Sequence, residues 1–158
     1  METPAYFGNF PCPANEKKPC VINDETSFRF IYTEGKPQSS DLNWIYANTQ
    51  HMTFAKYQLA PGSTFDPVDV HAGDEVYYVL KGTVTMLNPA LGQVEDVHAG
   101  EVILMPKGAP HKAYNFTNDE TIILYVIAPK MWNEEGPPED YNGEMKLFKY
   151  HVNREGKV

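Results

Sequence analysis

The stretch EVYYVLKGTVTML, residues 75–87, decides the fold class. Two runs, Glu75 to Leu80 and Thr83 to Leu87, are rich in β-branched and aromatic residues and are separated by Lys81-Gly82. Such side chains suit a pleated, half-buried surface, and a glycine-containing dipeptide between two such runs reads as a turn. The pattern continues outward in both directions. Ser27 to Tyr32, Asn43 to Ala47, Thr53 to Leu59, Glu101 to Met105, His111 to Phe116, Thr121 to Ala128 and Glu144 to Val152 are the other strand candidates. Pro61-Gly62, Asn88-Pro89, Ala99-Gly100, Lys107-Gly108 and Asn118-Asp119 supply turns between them. Turn signals recur about every 8 to 12 residues. No apolar period of 3.6 is sustained long enough for a substantial helix. The expectation is an all-β chain, a sandwich, jelly roll or small barrel.

The flanks of this region differ from it. Residues 1–26 carry Pro4, Pro11, Pro13 and Pro19 without apolar periodicity, and read as an irregular arm. Residues 27–130 read as the barrel, and residues 131–158 as an acidic loop followed by a last strand. The loop contains NEEGPPEDYNG, residues 133–143, whose paired prolines cannot carry a sheet ladder, so a solvated linker is expected there.

With 158 residues, 42% hydrophobic and 22% charged, the chain has the length and composition of one globular domain. A net charge of −8 repels phosphate backbones and anionic membrane surfaces, so neither nucleic acid nor a membrane is an expected partner. No apolar run is long enough to cross a bilayer, and METPAYFGNF lacks the basic and apolar regions of a signal peptide; a cytoplasmic location is expected. Cys12 and Cys20 are too few for a disulfide framework and wrongly spaced for a CxxC site, which leaves two reduced thiols.

The chemistry concentrates around one pentapeptide. Asp69 and His71 project to one side of an extended segment, and Glu75 can rejoin them after the Ala72-Gly73-Asp74 bend. His111 follows Pro106-Lys107-Gly108-Ala109-Pro110, a stiff turn that would fix the approach of its imidazole. Two imidazoles and two carboxylates suit a divalent first-row metal, with ligand distances of about 2.0 to 2.2 Å if the ion is zinc. The same pentapeptide, Asp-Val-His-Ala-Gly, occurs twice, at 69–73 and at 96–100. His98 of the second copy precedes Gly100 in a turn and is expected at the surface, as is His151. His51, just before a strand, is a candidate acid/base group reaching the cavity. Among the aromatic residues, Tyr57 and Tyr77 are candidate pocket groups, since a phenol can line a cavity and donate to a substrate oxygen.

These residues resemble the cupin superfamily. Its second motif, G-x5-P-x-G-x2-H-x3-N, is met at every fixed position by Gly100, Pro106, Gly108, His111 and Asn115. Its first, G-x5-H-x-H-x3–4-E-x6-G, is similar to Gly62, Asp69, His71, Glu75 and Gly82, with a longer spacer after Gly62 and Asp69 in place of the first histidine. The resemblance implies a cupin jelly-roll barrel, a homodimer, and His71, Glu75 and His111 as metal ligands. Asp69 is a substitute oxygen ligand, an acid/base or supporting group, or a solvated loop residue. Exchanging an imidazole for a carboxylate favours Mn or Fe(II), with Zn or Ni as further options.

Three functions compete. The first is a metal-dependent isomerase or lyase acting on a small oxo-acid, hydroxy-acid or sugar-like substrate, with Asp69, Glu75 or a histidine moving a proton. The second is an iron(II) dioxygenase using His71, Glu75 and His111. The third is a non-catalytic cupin that binds a small ligand.

Overall fold

The computed structural model describes residues 19–25, 27–32, 41–64, 68–129 and 139–140. No helix occurs among them. The strands are β1 (Phe28–Tyr32), β2 (Asp41–Asn48), β3 (Thr53–Leu59), β4 (Asp69–Val70), β5 (Asp74–Lys81), β6 (Thr83–Asn88), β7 (Gln93–His98), β8 (Val102–Met105), β9 (Lys112–Tyr114), β10 (Thr121–Ala128) and β11 (Glu139–Asp140). A six-stranded sheet runs β1-β2-β3-β10-β5-β8, a three-stranded sheet runs β7-β6-β9, and β4 pairs with β11. Every pairing is antiparallel.

Alternation explains which face points inward. In β3 and β10 every second residue is buried, and the cross-strand pairs Tyr57↔Ile123 and Ala55↔Tyr125 put those residues on one face. They meet Tyr77 and Val79 of β5 on one side. Val84, Met86, Val97 and Ala113 of the smaller sheet complete the core. Ile123 is fully buried, so truncating it to alanine would cost about 2 to 5 kcal/mol. The opposite face of β5 and β8 is apolar yet exposed: Tyr78, Leu80, Val102 and Leu104, with Tyr78 directly opposite Val102.

Asn115 shows why the second motif ends in asparagine. Its side chain is fully buried and its Nδ2 donates to the carbonyls of Leu59 (3.1 Å) and Asp119 (2.8 Å). Its Oδ1 accepts from the backbone N–H (3.0 Å) and hydroxyl (2.7 Å) of Thr117. A single amide thus satisfies several buried backbone groups and ties the loop before β10 to the end of β3.

Three strands depart from the sequence expectation. β7 was not expected. β4 has two residues only, and β11 lies in the acidic stretch expected to be a solvated linker, where Glu139 pairs with Val70 and Asp140 with Asp69. The prolines at 137 and 138 precede that pair rather than interrupting it. Most of the N-terminal arm, including Cys12, and the expected strand Glu144 to Val152 with His151 lie outside the described residues. Among the described residues there is accordingly no helix long and apolar enough to cross a membrane.

Candidate metal centre

The chain brings Asp69, His71, Glu75 and His111 together, and each is at least nine-tenths buried. Backbone pairing places them. Asp69 and His111 exchange reciprocal hydrogen bonds, N–H to O at 2.9 and 3.0 Å. The turn before His111 is pinned to the first motif: Gly108 N–H donates to the His71 carbonyl (3.0 Å), and Lys107 N–H to Asp74 Oδ1 (2.8 Å). The bend after His71 brings the backbone of Gly73 so close to β10 that a Cβ there would lie 2.4 Å from the Ala128 carbonyl oxygen. That contact fixes the point from which β5 starts and so the position of Glu75.

One atom of each of Asp69, His71 and His111 falls in a group whose members all lie within 4.8 Å of one another. Glu75 joins both imidazoles: its Oε2 is 2.7 Å from His111 Nε2 and 3.3 Å from His71 Nε2. These contacts are ion-pair distances without hydrogen-bond alignment. Glu75 Oε2, His111 Nε2 and His71 Nδ1 are buried without a hydrogen-bond partner. Buried polar atoms are normally satisfied, and donors that crowd together without bonding one another fit a shared cation.

The second nitrogen of His111 supports that fit. Nδ1 lies 2.9 Å from the Ala109 carbonyl, which only accepts, so Nδ1 carries the proton and Nε2 faces the cluster. In the ion-free protein the cluster is an ion pair. Burial disfavours charge on either group, but the adjacent His111 and His71 imidazoles outweigh it and hold the Glu75 carboxyl well below its usual range. Burial likewise opposes charge on His111, and Glu75 together with the Ala109 carbonyl overcomes it, pushing that imidazole up to about 9.

Three tyrosines adjoin the cluster. Tyr77 meets the His111 ring edge-on at 6.4 Å between centroids, and Tyr57, Tyr77 and Tyr125 contact one another at 5.5 to 6.2 Å. Burial raises all three phenols well above their ordinary value, and the Glu75 charge adds to the effect. They are hydrogen-bond donors at any physiological pH. Tyr125 was not singled out in the sequence. It shares the row of Tyr77 and Ala55 through sheet register, which a single strand does not reveal. Asp41 and Asn43 were missed for the same reason. Asp41 is buried at the end of β2, receives the Asn43 amide on Oδ2 at 2.6 Å, and has no partner for Oδ1. Burial pushes its carboxyl up to about 7.

His51 is not part of this arrangement. It is exposed in the turn between β2 and β3, where its N–H bonds to Thr49 Oγ1, because the strand begins two residues later at Thr53. A cavity of about 580 Å³ opens onto His111 between β7 and β8.

Two sheets closing over a buried cluster of histidines and carboxylates are the features of a cupin barrel, and residues 55–127 match the cupin domain family. That match runs from β3 to β10. A protein of Streptomyces coelicolor is 26% identical over 106 residues, covering 66% of this chain and 97% of its own length. A predicted oxalate decarboxylase of Thermotoga maritima shares the fold with a TM-score of 0.61 at 20% identity, over 69% of this chain and 98% of that one. The polyketide cyclase RemF of Streptomyces resistomycificus has a TM-score of 0.63 at 18% identity, over 78% of this chain and 85% of that one.

Proposed function

We propose that this cupin is a metal-dependent enzyme that binds a small oxygen-rich substrate, a hydroxy-acid, oxo-acid or sugar-like molecule, and isomerises it or eliminates from it. The carrying observation is the meeting of Glu75 Oε2 and His111 Nε2, buried without a hydrogen-bond partner and 2.7 Å apart, beside His71 and Asp69. Asp69, His71, Glu75 and His111 would hold the ion, and a divalent ion supplies Lewis-acid polarisation of substrate oxygens. Manganese or iron(II) suits this mixed nitrogen and oxygen donor set better than copper.

The chain's own residues supply the remaining work. The Ala109 carbonyl holds the His111 ring in one tautomer and one orientation. Tyr77, edge-on to His111 with Tyr57 and Tyr125 packed against it, would donate to a substrate oxygen. Asp69 or Glu75 accepts the proton that leaves carbon and returns it. The exposed apolar face of Tyr78, Leu80, Val102 and Leu104 supports a homodimer.

Metal analysis of protein purified without chelator, combined with Asp69 variants, tests this reading. Loss of metal in Asp69→Ala with recovery in Asp69→His makes Asp69 a ligand. Retained metal with a loss of turnover of about 10² to 10⁴ in Asp69→Asn makes it the proton carrier. A metal-free protein that cannot be loaded overturns the enzyme reading and leaves a ligand-binding cupin. A second reading rests on the grouping of Asp69 with His71 and His111, two imidazoles and one carboxylate, the donor set of iron(II) oxygenases. Oxygen consumption on addition of substrate separates the two.

A further inference from the structure

Inside the barrel, on the far side of the tyrosines, lies a second group of buried polar side chains that the metal centre does not use. Asp41, Asn43, Tyr57 and Tyr125 are each at least nine-tenths buried. By alternation Asp41 and Asn43 share the face of Ile45, a core residue, so they point inward from β2. Asn43 stands directly opposite Tyr57, and its Nδ2 donates to Asp41 Oδ2 at 2.6 Å. The Tyr125 hydroxyl donates to Asn43 Oδ1 at 3.5 Å, and the Tyr57 and Tyr125 ring centroids are 5.7 Å apart. Within this group Asp41 Oδ1 and the Tyr57 hydroxyl are buried without a hydrogen-bond partner. Elsewhere the fold satisfies such groups: Thr53 donates to Asn48 Oδ1 at 2.7 Å, and the Asn115 amide is bonded on both its atoms. Two open polar atoms in one buried cluster are costly, and a bound ligand removes that cost.

We propose that Asp41 and Tyr57 form a second subsite within the barrel, which receives a hydroxyl at the far end of a substrate whose oxygen-rich head sits at the metal centre. The inference rests on the metal-centre reading and adds the substrate's other end to it.

The open atoms specify the group. Asp41 Oδ1 accepts, and the Tyr57 phenol, held neutral by burial and by the charges of Glu75 and Asp41, donates. A hydroxyl both gives and takes a hydrogen bond, so one group satisfies both atoms, whereas a methyl group leaves both unpaired. A carboxylate or phosphate tail would meet Asp41 with no cation to receive it, since the buried side chains among the described residues include no lysine or arginine. The register sets the reach. Tyr57 shares a row with Ile123 and Val79, and along β5 the step from Glu75 to Val79 is about 13 Å at about 3.3 Å per residue. The Tyr77 ring stands in between, with its centroid 5.5 Å from that of Tyr57 and 6.4 Å from that of His111.

Hydroxamates test the subsite, because their head group chelates metal while the tail can be varied alone. Manganese(II)-loaded protein is titrated calorimetrically with acetohydroxamate, then with hydroxamates whose tails of about four to eight carbons end in methyl, hydroxyl or carboxylate. At its best length the hydroxyl tail should bind about 10- to 100-fold more tightly than the matching methyl tail, and the carboxylate tail more weakly than either. Tyr57→Phe and Asp41→Leu should each reduce the hydroxyl preference to about threefold or less, with bound manganese measured in each variant as the check that the centre is intact. Thermal unfolding of the ligand-free protein gives a second readout: the Tyr57 hydroxyl has no bond to lose, so Tyr57→Phe should leave Tm unchanged or raised. If acetohydroxamate does not bind, the metal-centre reading fails and the inference falls with it. If acetohydroxamate binds but hydroxyl and methyl tails bind alike at every length, or Tyr57→Phe keeps the hydroxyl preference, the inference alone is overturned. A fall in Tm of about 4 °C or more in Tyr57→Phe makes the phenol a structural group and overturns it as well.

Discussion

The pentapeptide Asp-Val-His-Ala-Gly occurs twice and meets opposite fates. In the first copy Asp69 and His71 are buried and Val70 is only half-buried; in the second Val97 is buried, Asp96 is half-buried and His98 is exposed. The faces are inverted by one residue. Backbone pairing sets the phase, not the residues themselves. Asp69 is bridged to His111, which turns its side chain and that of His71 toward the cluster. Val97 is paired with Val84, whose side chain has no exposed surface, and this turns Asp96 and His98 outward to Thr85 and Thr83. The two glycines differ as well. Gly73 is needed because β10 leaves no room for a Cβ, while Gly100 has open space around it and is needed for its φ of +89°.

The contrast can be broken in four places. The largest effect is expected on metal affinity: His71→Ala or His111→Ala should lower it about 10³-fold, as the loss of one ligand among four, and His98→Ala should leave it unchanged. Chelator competition followed by metal analysis measures this, and equal metal content in all three would dissolve the distinction between the copies. Next, Gly73→Ala should cost about 3 kcal/mol, since backbone must move. Gly100→Ala should cost about 1 to 2 kcal/mol, the strain of a left-handed residue. Denaturant midpoints at constant slope report both.

A pH series on ion-free protein sharpens the first copy further. His111 holds its proton to about 9 when folded against an ordinary 6.5, so its contribution is complete below 6.5 and is lost as pH rises through 9. Asp41, raised from 3.8 to about 7, loses stability in the same direction but at lower pH, which leaves the interval from 7 to 9 to His111. Stability should fall by about 2 kcal/mol across that interval, and Glu75→Gln, which removes the counter-charge, should flatten the curve. An unchanged slope in Glu75→Gln would remove the ion pair from the account. The smallest effect is expected at the second copy: His98→Ala forfeits one exposed hydrogen bond to Thr83 and should shift stability by about 0.5 kcal/mol or less.

How much of this was legible follows from what a sequence encodes locally. The long strands were, because β3 and β10 alternate cleanly between buried and half-buried positions. β7 was not, because only Val97 of its six residues is buried and Gln93 and Glu95 are exposed polar residues, so no apolar alternation marks the strand. β4 and β11 are two residues each, too short for any period. The meeting of Asp69, His71, Glu75 and His111 in one buried cluster was legible from spacing and motif. The positions of Tyr125 and Asp41 were not, because they depend on the register between strands distant in sequence. His51 misled because proximity to a strand start says nothing about which side of the turn a residue occupies.

The position of the cavity also bears on rates. Among the described residues β8 ends one sheet and β7 ends the other, and no ladder joins them. A molecule entering between them therefore breaks no interstrand hydrogen bonds. It needs only the side chains along the opening to change rotamer, motions of picoseconds to nanoseconds for exposed groups. The barrel can thus keep its sheets fully bonded throughout a cycle of ligand exchange, and the stability of the fold and the speed of traffic through it are set by different parts of the chain.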